Sequence, residues 1–85
     1  MERKLVKFYA DWCGPCRMFA PTVERLANET GLELVSVNID EQPEIAEQYN
    51  VRGVPTLVLE EDGREIARQV GGNTLARTSV ALGLS

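Results

Sequence analysis

Cys13 and Cys16 are the only thiols in the 85-residue chain, and they stand three positions apart in Trp12-Cys13-Gly14-Pro15-Cys16. If the chain is helical from Cys13 onward, their α-carbons lie roughly 5 Å apart. A disulfide spans about 4.4–6.8 Å between α-carbons, so the pair can open and close with little backbone movement. A helix N-terminus also leaves N–H groups unpaired and carries partial positive charge, and both favour a thiolate over a thiol. A free cysteine titrates near ~8.5, and such surroundings lower that value. The chemistry these residues support is dithiol–disulfide exchange. A zinc or iron–sulfur site usually needs four ligands. With no histidine and no third cysteine in the chain, a metal would require two copies joined through the pair. No metal and no cofactor are expected.

The flanking sequence supplies elements to hold the pair. Leu5-Val6-Lys7-Phe8-Tyr9-Ala10 is nearly continuous apolar sequence, the pattern of a strand covered on both faces. Asp11 and Trp12 form the turn, with Asp11 the expected N-cap of the next helix. From Cys16 to Thr30, Phe19, Val23 and Leu26 recur at helical spacing, and Gly31 suits the C-terminal cap. Pro21 falls inside this helix and should kink it. Leu32 to Asp40 reads as a second strand, giving a βαβ unit of right-handed crossover. Pro43 opens a short helix to about Tyr49, and Asn50 suits a left-handed stop. Val54 to Glu60 is the third strand. Glu61-Asp62-Gly63-Arg64 is a hairpin turn, and Glu65 to Val70 returns antiparallel. Asn73 is the expected cap of a last helix carrying Leu75, Val80 and Leu82. The order is βαβαββα, an α/β arrangement in a single domain spanning residues 1–85.

Composition narrows the partners. Apolar residues make up 44 % and charged residues 26 %, the balance of a globular protein. The formal charge is −4 with Lys and Arg scattered, which argues against nucleic acid or an anionic membrane. The N-terminal Met1-Glu2-Arg3-Lys4 leads into strand-like sequence with no apolar leader region, and a cytoplasmic, unexported protein is expected. A lone C-x-x-C beside a βαβ pattern then reads as redox-active. Asp40-Glu41 and Glu60-Glu61-Asp62 read as solvated turn and cap charges, and Met18 and Phe19 as core or rim.

The run Phe8-Tyr9-Ala10-Asp11-Trp12-Cys13-Gly14-Pro15-Cys16, with Pro21, Asn38-Ile39-Asp40, Arg52-Gly53-Val54-Pro55-Thr56 and Val70-Gly71-Gly72, resembles the thioredoxin family. The resemblance spans nearly the whole chain in the family's order. It implies a thioredoxin-like fold in minimal form, a four-stranded mixed sheet flanked by helices. It implies an exposed Cys13 that attacks a client disulfide and a recessed Cys16 that resolves the mixed disulfide, with Gly14 and Pro15 supporting them. Pro55 matches the family's cis-proline, and Trp12, Val54, Gly71 and Gly72 match its client-binding surface. Disulfide-containing client proteins are the implied partners of a monomer. Thioredoxin reductase is the implied electron donor, and glutathione is the alternative suggested by small size. A redox-independent accessory subunit is the other alternative, since fold alone does not assign function.

Two departures from the family pattern stand out. Larger members begin with an extra strand and helix for which this chain has no residues. They also carry a buried aspartate where this chain has Lys7, paired with a lysine where it has Ser36. Lys7 should be at least half-buried, since Leu5, Lys7 and Tyr9 share one face of a covered strand. Its stem could pack while its ammonium reaches water or a carboxylate. Alternatively its amine lies beneath Cys16, either favouring the thiolate by attraction or accepting its proton.

Overall fold

A computed structural model describes all residues from Met1 to Ser85. The elements follow in the expected order: β1 Arg3–Tyr9, α1 Gly14–Thr30, β2 Glu33–Asn38, α2 Pro43–Gln48, β3 Thr56–Glu61, β4 Arg64–Val70 and α3 Leu75–Ala81. They build one mixed four-stranded sheet in the order β2-β1-β3-β4. β1 runs parallel to β2 and antiparallel to β3, and β3 pairs antiparallel with β4. The central strand β1 is therefore flanked by paired strands and buries residues on both faces, which accounts for its nearly continuous apolar run.

Alternation along β1 divides the core in two. Leu5 points to the face covered by α1, where it joins Phe19, Val23, Leu26, Leu57, Leu59 and Leu82. Val6 and Phe8 point to the other face and pack with Val37, Val58 and Ala46 of α2. The Phe8 and Tyr49 ring centroids are 5.0 Å apart. α1 buries Cys16, Phe19, Val23, Leu26 and Ala27, and Gly31 ends it at φ 71°. Asn50 takes the expected left-handed conformation after α2, at φ 55°. Asp62 and Gly63 both have positive φ, as a two-residue hairpin between twisted strands requires.

Several local expectations need correction. β2 and β3 are shorter at their starts, beginning at Glu33 and Thr56. Pro21 lies within α1, as expected. Cys13, not Asp11, is the N-cap of α1. Thr74, not Asn73, caps α3 by accepting from the Arg77 N–H, while Asn73 Oδ1 accepts from the Thr74 N–H. Val80 is exposed, and Leu82 takes the core position instead. Glu60 is not a solvated turn charge. It is only 5 % exposed, accepts the Tyr49 hydroxyl hydrogen bond, and has Lys4 Nζ at 3.7 Å. The strand pairing explains this, because Glu60 follows Val58 by two and falls on the same covered face.

Candidate functional site

The cysteine pair sits where β1 gives way to α1. The Cys13 N–H donates to the Ala10 carbonyl at 3.1 Å, which turns the chain out of the sheet. The Arg17 guanidinium donates to the Asp11 carbonyl at 2.7 Å and braces the same turn. Cys13 stays extended as N-cap while Gly14 and Pro15 begin the helix. Proline fits there because its missing N–H is one that no helical carbonyl would accept. The two α-carbons are 5.2 Å apart and the sulfurs are joined as a disulfide, matching the helical spacing argument.

Electrostatics distinguish the two sulfurs. The Cys16 N–H donates to Cys13 Sγ at 3.1 Å, so a free amide of the helix end is aimed at Cys13. The Val54 carbonyl oxygen lies 3.7 Å from the same sulfur, an acceptor for the thiol form. Cys16 is one turn in. Exposure does not separate them: Cys13 is 4 % exposed and Cys16 5 %. The expectation of an exposed Cys13 is corrected, since Tyr9, Ile39 and Val54 pack over the cluster of Ala10, Cys13 and Cys16. What is open is the surround, with Trp12 67 % exposed.

Three segments frame the pair. Trp12 Nε1 donates to Asp40 Oδ2 at 2.8 Å. Asp40 is placed by its own N–H, which donates to the side chain of buried Asn38 at 2.9 Å. Asp40 is thus a positioning residue for Trp12 and not merely a solvated turn charge. The Val54–Pro55 peptide bond is cis, as the resemblance implies, and the Thr56 hydroxyl donates to the Gly53 carbonyl at 2.7 Å beneath it. The Pro55 carbonyl accepts from the Gly71 N–H at 2.7 Å, which docks the β4–α3 loop beside the proline. Gly71 has φ 85°, and a Cβ on Gly72 would meet the Phe19 side chain at 3.4 Å. The backbone therefore joins Val54, Pro55 and Gly71, and Val54 packs on the cysteines.

Val70, 67 % exposed and paired with Thr56, adds an apolar side chain beside this loop; the sequence placed it in the Val70-Gly71-Gly72 motif but not on the client-binding surface. Met18 is exposed and Phe19 is core. Lys7 is half-buried as expected, but no carboxylate pairs with it. Its Nζ lies over the Tyr9 ring, 5.2 Å from the centroid. The largest surface depression, about 760 Å³ and lined by residues including Arg3, Lys4, Glu33, Glu60 and Asp62, is at the other end of the sheet and includes neither cysteine.

The thioredoxin family model matches residues 1–81. The chain is 48 % identical over 68 residues to a thioredoxin of Chlamydia trachomatis, covering 79 % of this chain and 67 % of that one. That match, with the cysteine pair at disulfide distance, decides the family. The chain belongs to the thioredoxin family. Thioredoxin 1 of Synechococcus elongatus is 46 % identical over 79 residues, covering 87 % of this chain and 74 % of the relative. A solved mutant thioredoxin from Halobacterium salinarum superposes with TM-score 0.88 at 42 % identity, covering 95 % of this chain and 72 % of that one. This thioredoxin-family chain therefore spans about two thirds to three quarters of those relatives' length. It is a thiol–disulfide oxidoreductase acting on disulfide-containing substrates, and none of these relatives supports the redox-independent accessory reading.

Proposed function

We propose that the protein reduces disulfides of client proteins with Cys13 as nucleophile and Cys16 as resolving thiol. In the reduced form the Cys13 thiolate attacks one sulfur of a client disulfide, and the other client sulfur leaves with the bonding pair and is protonated. Cys16, deprotonated, then attacks the Cys13 sulfur. The Cys13–Cys16 bond forms and the second client thiolate departs. One client disulfide is reduced and one dithiol is oxidised.

The observation that carries the assignment is the Cys16 N–H at 3.1 Å from Cys13 Sγ. It supplies a charge-assisted hydrogen bond to a Cys13 anion and none to a Cys16 anion. The exposed apolar side chains of Trp12 and Val70, together with Val54, Gly71 and Gly72, form the client-docking surface. Gly14 and Pro15 support the reaction by starting α1 at the right residue.

Thioredoxin reductase is the proposed electron donor to this protein, acting on a monomer in the cytoplasm. Reduction of a protein disulfide, driven in parallel by thioredoxin reductase with NADPH and by glutathione, tests the assignment. Turnover with the reductase and little with glutathione is expected. The reverse order would make glutathione the donor, and no turnover with either would overturn the catalytic reading.

A further inference from the structure

Lys7 is a half-buried cation without a counter-ion, and it lies beneath the helix that carries the cysteines. The cross-sheet row through it reads Ser36, Lys7, Leu57, Gln69, so no other charge stands beside it on β2, β3 or β4. Leu57 belongs to the core under α1, which places Lys7 on that same face. The side chains of α1 that reach this core, Phe19, Val23, Leu26 and Ala27, are all apolar, and Thr78 of α3 is neutral and bonded to Gln69. The neighbour Lys7 does have is Tyr9, two residues along the same face, with Nζ 5.2 Å from the ring centroid. Tyr9 in turn packs against Ala10, Cys13 and Cys16. The ammonium thus lies over a ring that itself packs against the thiol cluster.

We propose that Lys7 is a positioning residue for the resolving step, its ammonium held over Tyr9 so that the Cys16 thiolate forms more readily. The inference rests on the dithiol reading above. Cys13 has the Cys16 amide and the helix end to stabilise its anion. Cys16 is buried one turn in, and burial disfavours its anion, so a nearby positive charge has most to contribute there. The other charges around the pair are already engaged or solvated. The Arg17 guanidinium is spent on the Asp11 carbonyl, Asp40 accepts from Trp12, and the Asp11 side chain is exposed. The Cys16 proton goes to solvent, the Cys16–Cys13 bond forms, and the client thiolate leaves with the bonding pair.

An opposite charge within ~4–6 Å shifts a titration by about 1–3 units. A half-exposed ammonium acting past a ring should do less, about half a unit to one unit. A lower pKa also weakens the thiolate as a nucleophile, with a Brønsted slope of about 0.4–0.5. Lys7→Met should therefore slow resolution about two- to fourfold below the Cys16 pKa, with the order reversing at higher pH, where both thiolates are complete and the variant's is the stronger nucleophile.

The test is stopped-flow reaction of the reduced protein with the aromatic disulfide dithionitrobenzoate across pH. The first coloured equivalent reports attack by Cys13 and the second reports resolution by Cys16. Lys7→Met should move the second-phase profile upward by about half a unit to one unit, as argued from the charge effect, and leave the first in place. Lys7→Arg, which keeps the charge and can stack on Tyr9, should restore it. Raising ionic strength on wild type should shift the second phase in the same direction, an outcome that does not depend on any variant folding. Superimposable second phases for wild type and Lys7→Met, or a Lys7→Arg profile like that of Lys7→Met, would overturn the proposal. A wild type that releases no second equivalent would instead overturn the dithiol reading itself.

Discussion

The difference between the two cysteines comes down to one backbone amide. Cys13 caps α1 and receives the Cys16 N–H, while Cys16 lies inside the helix. Cys13→Ser should therefore abolish client reduction, because the remaining buried thiol lacks a stabilised anion. Cys16→Ser should leave attack intact and accumulate a covalent client adduct on Cys13. Intact-protein mass spectrometry of each variant with a disulfide client checks both outcomes. An adduct on Cys16 in the Cys13→Ser protein, with none on Cys13 in the other, would reverse the roles. A second residue-scale prediction concerns Gly71, whose φ of 85° side-chain-bearing residues disfavour. Gly71→Ala should destabilise the fold by about 1–2 kcal/mol, read from denaturant unfolding. It should also weaken client docking, because the Gly71 N–H holds the loop to the Pro55 carbonyl.

Between elements, the tie of α2 to the sheet is polar as well as apolar. The Tyr49 hydroxyl donates to buried Glu60 of β3, and Arg68 of β4 donates to both Glu65 and the Tyr49 carbonyl. Burial, and then the hydrogen bond to Glu60, push the Tyr49 hydroxyl up from 10.0 to about 12. A pKa raised on folding means that this contribution is complete below about pH 10, the unfolded value. It is lost as pH climbs through the folded value. Tyr49→Phe should lower stability by about 1–3 kcal/mol near neutrality by leaving Glu60 short of a partner. The gap between variant and wild type should close as pH rises from 10.0 through about 12, which urea titrations at stepped pH would show. Very little of this network was legible in the sequence. Glu60 sits in an acidic run before a turn and looks solvated, and only the register of β3 against β1 turns it inward. The β-strands, α1 and the Gly31 and Asn50 stops were legible because their signals are local: apolar runs, 3.6-residue spacing, and residues tolerant of positive φ. The caps shifted because Asp11 and Asn73 suit a cap by type, whereas the neighbouring Cys13 and Thr74 have the geometry. The cysteine pair, Trp12, Val54 and Pro55 were legible as motif residues. Asp40 and Val70 were legible as members of motifs but not in their roles, because their places depend on β2 and β4 arriving beside segments distant in sequence.

Across the whole molecule, one small sheet must hold a reactive turn steady. An 85-residue chain at ~0.05–0.15 kcal/mol per residue has about 4–13 kcal/mol of stability. Leu57 of β3, fully buried in the core under α1, should lose about 2–5 kcal/mol on truncation to alanine. That is a large share of the total, and a thermal melt should register it clearly. The charged depression around Arg3 and Lys4 lies at the sheet's end opposite the cysteines. The central claim is that the pair works as a two-electron dithiol on protein disulfides. Its most direct test is a single-turnover reaction of the pre-reduced protein with a protein disulfide in the absence of any other reductant, counting thiols on each partner by mass after acid quench. The expected result is one client disulfide opened for each Cys13–Cys16 disulfide closed, with two thiols lost on one side and two gained on the other. A protein that stays fully reduced while the client keeps its disulfide would contradict the claim.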